Sequence, residues 1–159
     1  MARITVNTTG TQPTLLVSTD TANVANGALS VTCLQDVTIT NSTGIYSWTD
    51  FCNTDVNKIT TPADNEISTN IVIDDIGFFG NTSAGNGTAG KAGINGLSLN
   101  KTPVSFKLIL NGGANTANAY FYQGTGYVSS LAPTVSPEAP VWVSPLTIAV
   151  DGSFTTGKI

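Results

Sequence analysis

The sequence predicts a mainly β protein, an antiparallel β-sandwich or barrel with at most one short helix. Three observations carry this. Val104, Phe106, Leu108 and Leu110 alternate with Ser105, Lys107 and Ile109 over one run, the period-two pattern of a half-buried strand. Runs of this kind are separated by Asn- and Gly-rich turn signals such as Asn111-Gly112-Gly113 and Gly124-Thr125-Gly126. No segment sustains the 3.6-residue apolar period of a helix.

Taken in order, Met1 to Thr11 is polar and reads as an N-terminal arm. Pro13 to Ser18 is a strand through Leu15 and Val17, and Thr19 to Gly27 a polar loop. Ala28 to Thr40 is a long β-rich run broken at Gln35-Asp36. Asn41-Ser42-Thr43-Gly44 carries a strong turn signature. Ile45 to Cys52 resumes strand, Asn53 to Asn65 reads as a polar loop, and Glu66 to Asp74 is strand again. Residues 77–96 hold seven of the sixteen glycines. Each Gly inside a helix costs about 1 kcal/mol relative to Ala, so 75–101 reads as a Gly-rich loop or a short helix around Ala89 to Leu99. The C-terminal third supplies Val104 to Leu110, Ala119 to Tyr122, Tyr127 to Leu131, Val141 to Val143 and Leu146 to Val150, with 153–159 as a C-terminal arm. At 159 residues the whole is one domain, residues 1–159.

Only 10% of residues are charged, against about 25% in ordinary globular domains. A surface so poor in charge is suited to being covered by neighbours. The net charge is −4 and no Lys/Arg cluster exists, which argues against a dedicated nucleic-acid binder. Met1 to Asp75 holds eight acids and two bases, Ile76 to Pro137 three lysines and no acid, and the remainder Glu138, Asp151 and Lys158. The blocks come to −6, +3 and −1, an asymmetry that can create complementary patches. Cys33 and Cys52 are two cysteines without a disulfide framework. The N-terminus has no apolar signal region and no stretch reaches membrane-helix length, so synthesis and assembly in a cytoplasm are expected.

Several motifs invite a chemical reading and fail it. Gly85-Asn86-Gly87-Thr88-Ala89-Gly90 and Gly85 to Lys91 match dinucleotide and phosphate-loop patterns. Both need a strand directly before the loop. Here the strand ends about ten residues too early, and Ala92 follows the lysine where Ser or Thr is needed. Asp74-Asp75 with Asp64 and Glu66 could begin a hard-cation site, but such a pair is more often a solvated strand terminus. With no histidine the commonest acid/base is missing, and no enzyme, metal or cofactor is expected. Tyr46, Trp48, Tyr120, Phe121, Tyr122, Tyr127 and Trp142 suit either a sugar-binding face or cross-strand packing.

The order of these pieces resembles the tail tube proteins of long-tailed bacteriophages. The matching segments are Asp36-Val37-Thr38-Ile39-Thr40 with Gly44, then Thr49-Asp50-Phe51-Cys52-Asn53-Thr54. A mobile stretch from Asp55 to Asp64 and a strand from Asn65 to Asp74 follow. Lys101 to Leu108, Gly124-Thr125-Gly126-Tyr127-Val128-Ser129-Ser130-Leu131 and Val141 to Gly152 complete the series. The likeness covers Ala28 to Gly152; the Gly-rich middle departs from it where the family carries a helix. It implies a virion structural protein whose hexameric rings stack into a hollow tube for DNA, with strands from six subunits closing an inner barrel. Asp36, Asp50 and Glu66 become lumen-facing candidates. Asp55, Lys58 and Asp64 become candidates for contact with a neighbouring ring. Implied partners are further copies of the chain, a terminator, a baseplate or tip, and a sheath where the tail is contractile. DNA would pass without specific binding, and no membrane is involved. A capsid decoration, tail terminator or baseplate component, and a carbohydrate-binding module, are the alternative readings.

Overall fold

The computed structural model describes residues 12–31, 33–50, 55–112 and 117–159. They form β1 (Thr14–Ser18), β2 (Leu29–Val31), β3 (Leu34–Trp48), β4 (Asn57–Val72), α1 (Ala89–Leu99), β5 (Val104–Ile109), β6 (Tyr120–Leu131) and β7 (Val143–Lys158). The strands make one antiparallel sheet in the order β2-β1-β5-β6-β7-β4-β3. This is the expected class, mainly β with a single short helix.

The order dictates the shape. β2 and β3 are the two outer strands, yet only positions 32 and 33 separate them in sequence. Neighbouring strands lie about 4.8 Å apart, so a flat sheet of seven would hold its edges about 29 Å apart. The three Cα steps from Val31 to Leu34 span at most about 11 Å. The sheet therefore curls into a barrel-like body whose edges converge at that end. Leu15, Val17, Ile67, Ile71, Phe106, Leu108, Leu146 and Ile148 fill its interior, each almost fully buried. Burying a side chain of this size contributes about 1.5–3 kcal/mol.

The glycine-dense segment is ordered around one helix. Thr88 caps α1, its side chain accepting a hydrogen bond from the Lys91 N–H. The apolar face, Ala89, Ile94 and Leu97, packs into the core with Phe78. At Gly93 the helix breaks (φ 66°, ψ 171°). The break frees the N–H groups of Ile94 and Asn95, which donate to the carbonyls of Gly77 and Phe78, each at 3.0 Å. A Cβ on Gly93 would sit against the Gly80 nitrogen and the Phe78 oxygen, well inside van der Waals contact. Two backbones meet here with no room for side chains, and that explains glycines at 80 and 93 in a helical neighbourhood.

Four expectations are corrected. Asn41 to Gly44 is not a turn: β3 runs through it, with an irregularity between Ser42 and Gly44. Asn53 to Asn65 is not a loop over most of its length, since β4 starts at Asn57. Pro62 and Ala63 face Thr43 alone there, a bulge that accommodates a proline lacking its N–H. Gln35-Asp36 is a bulge within β3, and the chain changes edge two residues earlier. The C-terminal segment is no arm, because β7 continues to Lys158 and pairs with β6, Tyr120 opposite Lys158. The expected N-terminal arm, residues 1–11, and the stretch 51–54 that contains Cys52, lie outside the described residues.

The loop after β1 folds on Asp20. The Asn26 side chain donates to its carboxylate at 2.9 Å, and the N–H groups of Ala22 and Asn23 donate at 3.0 and 3.1 Å. Together these hold the Asp20 carboxyl below its ordinary 3.8, the Asn26 bond contributing most. A depressed pKa means the stabilisation is complete above the unfolded value and is lost as pH falls through the folded one. Protection of the Ala22 and Asn23 amides, relative to their intrinsic exchange rates, is therefore expected to hold at pH 5 and to fall as pH drops below 3.8, as NMR hydrogen exchange would read. Gly93→Ala is expected to destabilise the fold by at least about 2 kcal/mol in urea unfolding. Gly87→Ala, also at positive φ but with open space around it, should lose only about 1 kcal/mol.

Candidate functional surfaces

Two surfaces stand out from the barrel: a polar sheet face without cations, and a protruding β-hairpin. Both follow from strand length. β4 pairs with β7 only from Asn65 to Val72, yet it pairs with β3 back to Asn57. β7 continues past Val150 with β6. The sheet forks at Asn65. On one side β3 and β4 leave as a two-stranded ribbon; on the other, β6 and β7 run on together.

Asn65 holds the fork. It is buried, accepts from the Ser42 N–H at 3.2 Å and donates to the Gly152 carbonyl at 2.8 Å. One amide side chain thus ties the root of the ribbon to β7 where the β4–β7 ladder ends. Its removal breaks two part-buried hydrogen bonds, at a cost of about 0.5–1.5 kcal/mol each. Asn65→Ala is expected to lower the urea midpoint accordingly and to speed amide exchange at Ser42.

Beyond the fork both faces of the ribbon are exposed. Ile45 is 61% exposed, Tyr46 60%, Ile59 56% and Val56, near the tip, 57%. Tyr46 and Trp48, two apart on one strand and so on one face, stack with ring centroids 6.1 Å apart. An isolated two-stranded ribbon is marginally stable in water, and this one displays apolar side chains to solvent.

The sheet face is built from the outward residues of β3, β4, β7 and β6 before the fork. Register puts Thr38 opposite Ser68, and Thr40 opposite Glu66. Ser68 in turn faces Thr147, and Glu66 faces Ala149. Tyr127 lies opposite Ala149, and Ser130 opposite Thr147. The hydroxyls of Ser68 and Thr147 meet at 3.3 Å. Residues 34–42, 64–72, 125–131 and 143–151 contain the acids Asp36, Asp64, Glu66 and Asp151 and no lysine or arginine. Asp36 accepts from the Asn70 N–H and side-chain amide, each at 3.0 Å, and its carbonyl accepts from the Thr69 hydroxyl.

The sites expected from sequence are distributed between these surfaces. Asp36 and Glu66 lie on the sheet face. Asp50 lies past the end of β3, at the ribbon tip, with Asp55 just before β4. Lys58 is on the ribbon, opposite Ser47. Asp64 sits at the fork opposite Ser42, two residues from Glu66 and on its face, so it belongs with the sheet. Asp64 and Asp74 are separated by ten residues of β4 and its continuation, about 33 Å of extended chain, so the imagined cation cluster does not come together. Asp74 instead accepts from the Gly77 and Phe78 N–H groups. The Gly85 to Lys91 loop does open a helix, but β4 ends at Val72, far ahead of it. The extent of the ribbon escaped the sequence reading; threonines at 60 and 61 and Ile59 were the available signal.

No family model matches the chain, and no curated protein matches it by sequence. Solved structures do. The SPP1 tail tube matches at a TM-score of 0.63 and 14% identity, covering 94% of this chain and 78% of that one. A chain in the virion of the native gene transfer agent particle matches at 0.59 and 14%, covering 90% and 95%. A chain of the sheath/tube terminator of the PVC extracellular contractile injection system matches at 0.59 and 13%, covering 99% of both. At these identities the likeness is one of fold, and it meets the resemblance drawn from strand order. The chain is similar in fold to phage tail tube proteins and to tube components of injection systems.

Proposed function

We propose that this chain is a structural subunit of a phage-like tail, whose rings stack into a hollow tube. The observation that carries this reading is the forked sheet: a cation-free polar face on four long strands, flanked by unpaired strand edges. Among the described residues β3 pairs on one side only, and β7 has no β4 partner beyond Val150. Open edges invite pairing with another chain. A head-to-tail contact that closes on itself makes a ring, and rings with unlike ends stack into a filament. Six subunits, the number implied by the tail tube resemblance, would close the inner barrel.

The sheet face then lines the lumen, with Asp36 and Glu66 among its residues and Asp50, Asp55 and Lys58 at the ribbon end reaching a neighbouring subunit. Each lysine or arginine meeting a phosphate adds to DNA affinity; a face with four carboxylates and none of these repels the duplex and lets it slide. The tube would be assembled in the host cytoplasm, reside in the virion tail, and meet a terminator, a baseplate and, in a contractile tail, a sheath. A tail terminator is the second reading, since a chain in the PVC sheath/tube terminator structure matches over its whole length; such a subunit forms rings but not filaments.

Negative-stain electron microscopy of the purified protein at high concentration separates these outcomes. Hollow tubes of stacked six-fold rings are expected. Rings that never stack would select the terminator, and a chain that stays monomeric even with preformed tube ends would end both readings. Assembled wild-type tubes should not retain duplex DNA at physiological salt. Thr38→Lys with Thr147→Lys should produce retention that weakens steeply as salt rises, read by co-sedimentation.

A further inference from the structure

On the same end of the body as the ribbon, where β5, β6 and β7 finish level at Leu110, Tyr120 and Lys158, lies a cavity of about 470 Å³. Its wall is formed by Leu110, Tyr120, Tyr122, Thr156 and Lys158, with Phe121 beside them. This is an apolar, aromatic slot with a cationic rim. Lys158 lies 5.8 Å from the Tyr120 ring centre. No acid occurs between residues 76 and 137, and Asp151 is seven residues up β7 from Lys158, about 23 Å away. None of the ribbon's residues lines the slot; within the same chain Tyr46 and Trp48 remain exposed.

We propose that the stacked Tyr46–Trp48 pair of one subunit seats in this slot of the next copy of the chain. The inference rests on the self-assembling reading above and names the contact that fixes neighbour to neighbour. Chemistry matches on both sides. The ribbon offers two aromatic rings already stacked, which reduces the ordering cost of binding. The slot offers an aromatic wall of the kind in which tyrosine and tryptophan anchors concentrate binding energy. Charge matches as well. The ribbon beyond the fork, residues 43–63, carries two acids and one lysine, a net negative charge that would meet Lys158 at the slot. Ribbon and slot diverge from one fork on opposite sides, so the contact is heterologous and propagates around a ring.

The test uses the full chain. The sequence has two tryptophans, Trp48 and Trp142, so Trp142→Phe leaves Trp48 as the reporter. Its emission is expected to shift to the blue as concentration brings assembly, and the slot itself contributes no tryptophan signal. Tyr46→Ala with Trp48→Ala should raise the concentration needed for assembly by at least about tenfold, and Lys158→Glu should raise it less, with wild-type assembly weakening as salt screens the rim. Tubes that form from the doubly substituted chain at the wild-type threshold, with Trp48 emission in assembled Trp142→Phe still that of a solvated indole, would overturn this contact and leave the tube reading intact. A wild-type chain that never assembles would overturn both.

Discussion

The short link between β2 and β3 is the constraint on which the rest depends. It joins strands at opposite edges of a seven-stranded sheet, so the sheet has no choice but to curl. Curling gives the chain an interior, and the interior collects the apolar face of every strand together with α1 and Phe78. Because closure occurs at that end of the strands, the long strands are free to overshoot at the other. The fork at Asn65 sends β3 and β4 out as a two-stranded ribbon, while β7 and β6 continue beside β5 and β1.

The two surfaces produced by the fork have opposite character for a physical reason. Before the fork, the inward side chains are held by the barrel, so the outward ones can be small and polar, and here they are Ser, Thr and Asn with scattered carboxylates. After the fork the ribbon leaves the sheet and has no inner face on which to bury Ile45, Tyr46, Ile59 and Val56. Solvent exposure of such residues is tolerable in an assembly subunit, where the monomer is a passing state.

Strands with a buried face were legible in the sequence, because burial on one side imposes alternation: β1, β5 and the C-terminal parts of β4 and β6 were read from it. The helix at Ala89 to Leu99 was legible only as a candidate, since its glycines oppose helix formation and are explained by the close approach of Gly93 and Gly80. Of the ribbon, the β3 half from Ile45 was legible and the β4 half from Asn57 was not. Exposed on both faces, it carries no alternation, and Asn41 to Gly44 offers turn chemistry that pairing overrides. The same cause hid the reach of β7 to Lys158. Asp36 and Glu66 were placed on long strands correctly in register terms, whereas Asp64 was assigned to a loop because Pro62 reads as a strand breaker unless a bulge receives it.

The junction of β4 with β7 has a mechanical meaning. Eight residue pairs, Asn65 with Val150 through Val72 with Val143, join these strands, and antiparallel ladder bonds run across the strand direction. A pull delivered through the ribbon travels along β4, so it strains this ladder in shear. Every rung resists at once; none is peeled before the next. A filament strung through such joints resists stretching along the ribbon with the strength of a whole ladder, while a sideways pull on the ribbon meets only the bonds of Asn65.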